Sequence, residues 1–268
     1  MKRSTKIAAG VLAVVLLASI FAGVLAPAHY AKQFRDDPSA APSSKFLLGT
    51  DELGRDRFSR LLYGSRISLF LAPCAALVST VLAALIGGLA GYFGGRTEKV
   101  AMLFTDLFMS MPWLFLLITV RAVLPLNTPP LTSVLITFSL LGLLGWAAAA
   151  RVVCSGIKSL RNSEFILQAK AAGCRAGRLF AIHMLPNLKP ILYAQFWISI
   201  PVFILAEANL GILGLGVSEP LPSWGSLLRE LEDFSGVGLQ PWRLVPLFVL
   251  LVVVSCFQVL ISEKEYSR

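Results

Sequence analysis

The residues best placed to do chemistry lie between Arg151 and Pro190, a polar interlude between two long apolar segments that contains QAKAAG (Gln168 to Gly173) and HMLPN (His183 to Asn187). The chemistry they offer is noncovalent. Ala169, Ala172, Gly173 and Ala176 recur three or four residues apart, so a helix here presents a face with almost no side chain, against which a second backbone can come close. Lys170 and Arg175 flank that face and Arg178 follows it, a pattern suited to a groove in a partner protein whose acidic groups meet the cations. The plainer reading of the same pattern is an amphipathic interfacial helix joining two spans. Segments 159–173 and 176–185 each read as a short helix, with Gly173-Cys174 between them.

Other chemistries find no support. His183 has no second His or Cys at ligand spacing, so a metal site is not expected. Gly91-Tyr92-Phe93-Gly94-Gly95 resembles a phosphate loop only in its glycines, because no Lys-Ser/Thr follows Gly95 and no strand precedes it. Gly87, Gly88 and Gly91 read instead as a helix-packing surface. The chain carries no recognisable catalytic set and no cofactor motif.

The elements that must position these residues are membrane spans. With 56% hydrophobic residues and 15% charged in 268, the chain is too apolar for a soluble domain. Crossing a hydrocarbon core of about 30 Å takes roughly 20 residues, and six stretches approach that length: 7–26, 67–92, 101–124, 131–150, 191–216 and 244–262. The fold class is all-α and polytopic. The first run, behind Lys2, Arg3 and Lys6, is long enough to be a span rather than a cleaved leader.

The net charge of +9 reads as topology rather than as nucleic-acid binding. With both termini on the cytoplasmic side, the inner segments hold fourteen of the 24 cations: Lys2, Arg3, Lys6, Arg96, Lys99, seven between Arg151 and Lys189, Lys264 and Arg268. The outer loop from Lys32 to Arg66 holds seven, interleaved with Asp36, Asp37, Asp51, Glu52 and Asp56. Cys74, Cys154, Cys174 and Cys256 show no paired spacing and read as small buried apolar residues.

Three ionisable residues fall within spans, where a charge costs about 2.5 kcal/mol or more on insertion scales. Asp106 lies near an inner boundary, and Arg121, near an outer end, is expected to snorkel to the interface. Glu207 follows Pro201, expected to kink its helix, and with Asn209 precedes the Gly211, Gly214, Gly216 series. Glu207 and Asn209 are the candidates for lining a pathway; a hydrogen bond from Glu207 to a neighbouring helix is the alternative. The stretch 48–69 reads as an amphipathic surface helix, and 218–234 as a Pro-stiffened loop anchored at the membrane interface by Trp224 and continued by a short amphipathic helix.

Taken in order, TDELGRD (50–56), LLYGSRISL (61–69), GYFGG (91–95), the Asp106/Pro112 span, LAEANLGILGLGV (205–217) and PSWG (222–225) resemble the ABC permeases of the dipeptide, oligopeptide and nickel type. The cytoplasmic signature loop of importer permeases places Leu-Pro twelve and thirteen residues after a Gly, and Gly173, Leu185 and Pro186 keep that spacing. Where many such loops have Glu-Ala-Ala, this chain has Leu167, Gln168 and Ala169, so an acidic anchor is lost.

The resemblance implies an N-terminal span and outer linker with an amphipathic helix (1–66), then a five-span type I core (67–268) whose ATPase-coupling loop is 151–190. Its coupling residues would be Gln168, Ala169, Lys170, Ala171, Ala172, Gly173, Arg175, His183, Leu185, Pro186 and Asn187. It further implies a bacterial inner-membrane subunit that pairs with a second, different permease subunit, two cytoplasmic ABC ATPase subunits and an extracytoplasmic binding protein. Its cargo would be peptides, nickel or similar small solutes. An ion-gradient-driven secondary transporter using Asp106, Arg121 and Glu207 is the competing reading, though no internal repeat supports it.

Overall fold

A computed structural model describes residues 3–125, 128–232 and 240–266, with the backbone alone at Ala176, Ala181 and 264–266. Lys2 and Arg268 of the topology count, and Asp233 and Phe234 at the end of the 218–234 loop, lie outside the described residues. The all-α polytopic architecture is borne out: among the described residues five helices are long and apolar enough to cross a membrane, six if one bent pair counts as a single span. The principal helices are α1 (Arg3–Ile20), α2 (Arg57–Phe93), α3 (Gly95–Ser110), α4 (Trp113–Val123), α5 (Pro130–Leu144), α6 (Ala147–Arg161), α7 (Glu164–Ala171), α8 (Leu185–Ile212), α9 (Trp224–Leu228) and α10 (Val245–Tyr266).

Several boundaries differ from the sequence reading: the span expected at 131–150 belongs to a run that reaches Arg161, that expected at 191–216 to one over Ile182–Ile212, and the helix expected at 159–173 is divided between α6 and α7. No separate surface helix covers 48–69: residues up to Asp56 form turns and two isolated antiparallel bridges, Gln33 with Arg55 and Thr50 with Asp56. The Asp56 carboxylate then accepts the Ser59 N–H at 2.8 Å, starting α2 ten residues earlier than expected. At 1.5 Å per residue, α2 runs about 55 Å, well beyond a hydrocarbon core of about 30 Å.

The expected span at 101–124 is α3 plus α4, bent by 79°. Pro112 excludes the preceding residue from helical geometry, and Met111 is extended at φ −79°, ψ 131°. Pro73 and Pro201 sit inside the continuous helices α2 and α8, so the bend expected at Pro201 brings no break.

The chain forms two compact units, Met1–Pro73 with Val120–Phe138 and Pro201–Arg268, and Cys74–Thr119 with Ser139–Ile200. In the first, α1 packs against α10, and α9 packs on α10 as well. Arg121 does not snorkel: it is 1% exposed and donates from Nη2 to Ser133 Oγ (3.0 Å) and to the Gly216 carbonyl (3.2 Å). The Gly216 carbonyl lies just beyond the turn that ends α8, which closes with the Leu215 N–H on the Leu210 carbonyl at 2.8 Å.

In the second unit α3 packs on α6, and Ala83, Trp146, Ala147, Ala149 and Ala150 form a buried cluster with Leu82, Ile86 and Phe108 against it. The packing role read for Gly87 and Gly91 is borne out, since a Cβ on them would lie 2.1 Å from the Ala150 carbonyl oxygen and 2.8 Å from that of Cys154. Cys154 and Cys256 are buried as expected and Cys174 is partly so, but Cys74 is exposed on α2.

Candidate functional site

The polar interlude folds within the second unit around Ile166, which is fully buried with Ile157, Leu179, Met184 and Leu188. Ala169 and Cys174 pack on the edge of this core, so Ala169 turns inward rather than joining a free small-residue face. The exposed smooth patch is Ala171, Ala172 and Gly173, with Gln168, Lys170 and Arg175 exposed around it; the side chain of Ala176 lies outside the described ones.

α7 ends in paired reverse-turn bonds. The Cys174 N–H donates to the Ala169 carbonyl at 3.1 Å and the Gly173 N–H to that of Lys170 at 3.0 Å. Gly173 takes φ +77°, a conformation that side chains disfavour, while nothing lies within 4 Å of where its Cβ would be. Gly173 is therefore needed here for its backbone, not for space.

Beyond it, a π-helical segment, Leu179–Met184, feeds α8. His183 is partly buried, Leu185, Pro186 and Asn187 are exposed, and Asn187 Nδ2 donates to the His183 carbonyl at 2.7 Å. α7 is too short to cross a membrane, yet Phe165 and Leu167 on it are 43% and 51% exposed. These two apolar side chains thus stand open beside the exposed Lys170 and Arg175.

The two pathway candidates part company. Glu207 has no exposed surface, and its Oε2 accepts from Ser68 Oγ at 3.1 Å, whereas Asn209 is exposed. Asp106 forms an ion pair with Arg151, each side chain about half exposed. No group of three or more His, Cys, Asp or Glu residues is arranged to hold a metal among the described residues.

A charged knot in the first unit was not anticipated. Asp51 Oδ2 pairs with Arg55 Nε at 2.6 Å and with Arg60 Nε at 3.7 Å, and its Oδ1 accepts the N–H groups of Leu53 (3.0 Å) and Arg55 (2.8 Å). Glu219 takes the other ends of both arginines, Arg55 Nη1 at 2.5 Å and Arg60 Nη2 at 3.0 Å. Burial works against the Arg55 charge, but Glu219 and Asp51 more than restore it, so that guanidinium is held above its ordinary range. TDELGRD advertised these charges, but no local pattern could show that their partner is a glutamate 164 residues from Arg55.

Next to the knot, Arg57 Nη2 lies 3.0 Å from Glu230 Oε2. Burial pushes the Glu230 carboxyl above its ordinary 4.5 against the pull of Arg57 and Arg60, with Asp51 adding to the rise and Arg243 opposing it. A carboxyl held above its unfolded value stabilises the folded chain below that value, and the contribution is lost as pH rises through the folded one. Glu230→Gln is therefore expected to lessen the drop in melting temperature between pH 4.5 and neutral pH; an equal drop in both proteins would refute this assignment.

The ordered motifs, the helical membrane fold and the exposed loop around α7 agree with a comparison against known families. Residues 83–263 match the family described as binding-protein-dependent transport system inner membrane component. The chain belongs to this family. Among other members, the dipeptide transport system permease protein DppC of Bacillus subtilis (strain 168) is 31% identical over 251 residues, 93% of this chain and 76% of that one. The oligopeptide transport system permease protein OppC of the same organism is 33% identical over 245 residues, 90% and 78% of the two chains. The di/tripeptide transport system permease protein DppC of Pseudomonas aeruginosa (strain UCBPP-PA14) is 32% identical over 247 residues, again 90% and 78%. As an inner membrane component this chain is a transport subunit.

Proposed function

We propose that the chain is one of two membrane subunits of an ATP-driven importer of short peptides, and that the 151–190 loop receives a cytoplasmic ATPase subunit. The observation that carries the docking site is the exposed patch on α7: Phe165, Leu167 and the bare run Ala171–Gly173, ringed by Lys170 and Arg175. The peptide cargo rests on relatives named for dipeptide, oligopeptide and di/tripeptide transport.

In this reading both termini and the loop are cytoplasmic, residues 1–66 supply a span and an outer segment, and 67–268 form the core. A second, different permease subunit completes the pathway, two ATPase subunits sit beneath, and an extracytoplasmic binding protein delivers cargo. Asn209, exposed where Glu207 is not, is the residue of the two that can face the pathway. ATP acts by binding the two transport states unequally, and moving a 1:99 equilibrium to 99:1 takes about 5.5 kcal/mol of differential binding. Membership of a binding-protein-dependent family supports this over ion-gradient coupling.

The test places bulk on the smooth patch without straining the turn. Ala172 has φ −75°, which any residue accepts, so Ala172→Arg is expected to cut ATP-driven peptide uptake by the reconstituted complex about tenfold, equivalent to about 1.4 kcal/mol of lost docking. The amount of chain in the membrane should not change. Gly173→Asn, which tolerates positive φ, should retain more uptake than Gly173→Val. Unchanged uptake for Ala172→Arg would remove the docking site; nickel-complex uptake exceeding peptide uptake would replace the cargo.

A further inference from the structure

The residues on either side of Glu207 make a closed arrangement for which pathway lining gives no reason. Glu207 on α8, Ser68 on α2, and Ser223 and Trp224 at the start of α9 all have no exposed surface. They form a relay: the Trp224 backbone N–H donates to Ser68 Oγ at 3.2 Å, and Ser68 Oγ donates to Glu207 Oε2 at 3.1 Å. One turn earlier on α2, Ser65 Oγ accepts the Trp224 indole N–H at 2.9 Å, so this tryptophan is enclosed by the chain rather than anchored at the membrane interface as its sequence position suggested.

Gly225 closes the other side. A Cβ there would lie 2.6 Å from the Glu207 carbonyl oxygen, 2.8 Å from its Oε1 and 2.9 Å from the Cα of Gly211. The segment is also held upstream, where Glu219 bridges Arg55 and Arg60, and within itself, where Ser223 and Ser226 cap α9 reciprocally. A buried carboxylate is costly unless hydrogen bonds hold it. Here the polar groups that hold Glu207 are those that fix the position of α9.

We propose that Glu207 is a positioning residue that clamps the 219–228 segment to α2 and α8 through Ser68, and that transport requires this segment to move with those helices as one piece. The clamp needs an acceptor at residue 207, not a charge. A pathway-lining Glu207 would behave in the opposite way, its charge setting the affinity for solute. The proposal rests on the importer reading for its functional arm only.

The test uses the full chain in its reconstituted complex, measuring hydrogen exchange over 219–228 and the KM and maximal rate of ATP-driven dipeptide uptake. Glu207→Gln keeps an acceptor for Ser68 and is expected to stay within about twofold of the unmodified protein in all three. Glu207→Leu leaves the buried Ser68 hydroxyl without its acceptor at residue 207, so exchange over 219–228 should rise about tenfold or more. Its maximal uptake rate should fall similarly with KM unchanged. Ser68→Ala, which leaves the carboxylate in place, should shift exchange and rate in the same direction by a smaller factor.

The clamp is overturned if Glu207→Gln is as impaired as Glu207→Leu, if KM rather than rate changes, or if Ser68→Ala exchanges like the unmodified protein. Should Glu207→Leu fail to accumulate, Ser68→Ala and Glu207→Gln decide the matter. Absence of ATP-driven uptake by the unmodified complex would instead count against the importer reading, and the exchange measurement would still judge the clamp.

Discussion

Gly211→Ala is expected to remove most of the folded protein from the membrane. A Cβ at 211 would lie 2.2 Å from both the Cα and the carbonyl carbon of Gly225, and 2.7 Å from the Gly225 oxygen. Overpacking costs about 1–3 kcal/mol where side chains can yield. Here the atoms in the way are backbone, and α9 cannot retreat because its own start is tied to Ser65 and Ser68. The gain in helix propensity from Gly to Ala, at most about 1 kcal/mol, does not offset this. A loss of about 3 kcal/mol is a factor of roughly a hundred in the folded-to-unfolded ratio, a large part of a typical stability margin. The measurement is the yield of monodisperse detergent-solubilised chain beside Gly10→Ala, where nothing lies within 4 Å. Equal yields for the two would contradict the close packing of α8 and α9.

Asp51→Ala is expected to cost about 3–5 kcal/mol, the range for removing one partner of a buried ion pair. Asp51 keeps 5% of its side chain exposed and faces Arg55 and Arg60, which keep 9% and 1%. Its removal also orphans the N–H groups of Leu53 and Arg55 in the turn before α2. Glu219 remains to meet both arginines, but at 52% exposure it is hydrated and compensates only in part. Because the knot is buried, added salt should change the deficit little. Thermal unfolding of the purified chain at low and high ionic strength reads both effects; a melting temperature within a degree of the unmodified protein would show that the knot is decorative.

How much of this was legible depended on range. Apolar run length gave the spans, and Pro112 broke one because a proline acts on the residue beside it. The smooth loop was also visible locally, in QAKAAG and the spacing from Gly173 to Leu185-Pro186. What could not be read was which side of each element faces inward. Ala169 and Ala172 look alike in sequence, yet Ile166 anchors α7 so that Ala169 is turned toward the core and Ala172 away from it. Arg121 and Glu207 carried the same ambiguity: a charge in an apolar run announces that it needs a partner but not which one. Their partners, Gly216 for Arg121 and Ser68 for Glu207, lie 95 and 139 residues away. The start of α2 was misplaced for a related reason, since charges at 51–60 suggested a solvated surface when most of them neutralise one another inside.

The packing of α1 against α10 bears on how the chain is made. The two helices begin about 240 residues apart, and at roughly 5–20 residues per second α1 is made some 10–50 s before α10 exists. During that interval α1 must reside in the bilayer without its companion. Ser19, buried in the finished protein, already has its hydroxyl on the Val15 carbonyl of the same helix at 2.7 Å, so it can wait among lipids without an unmet polar group. Closure of the first unit is thus a late event in synthesis, since the α1–α10 packing cannot form until the last helix has been made.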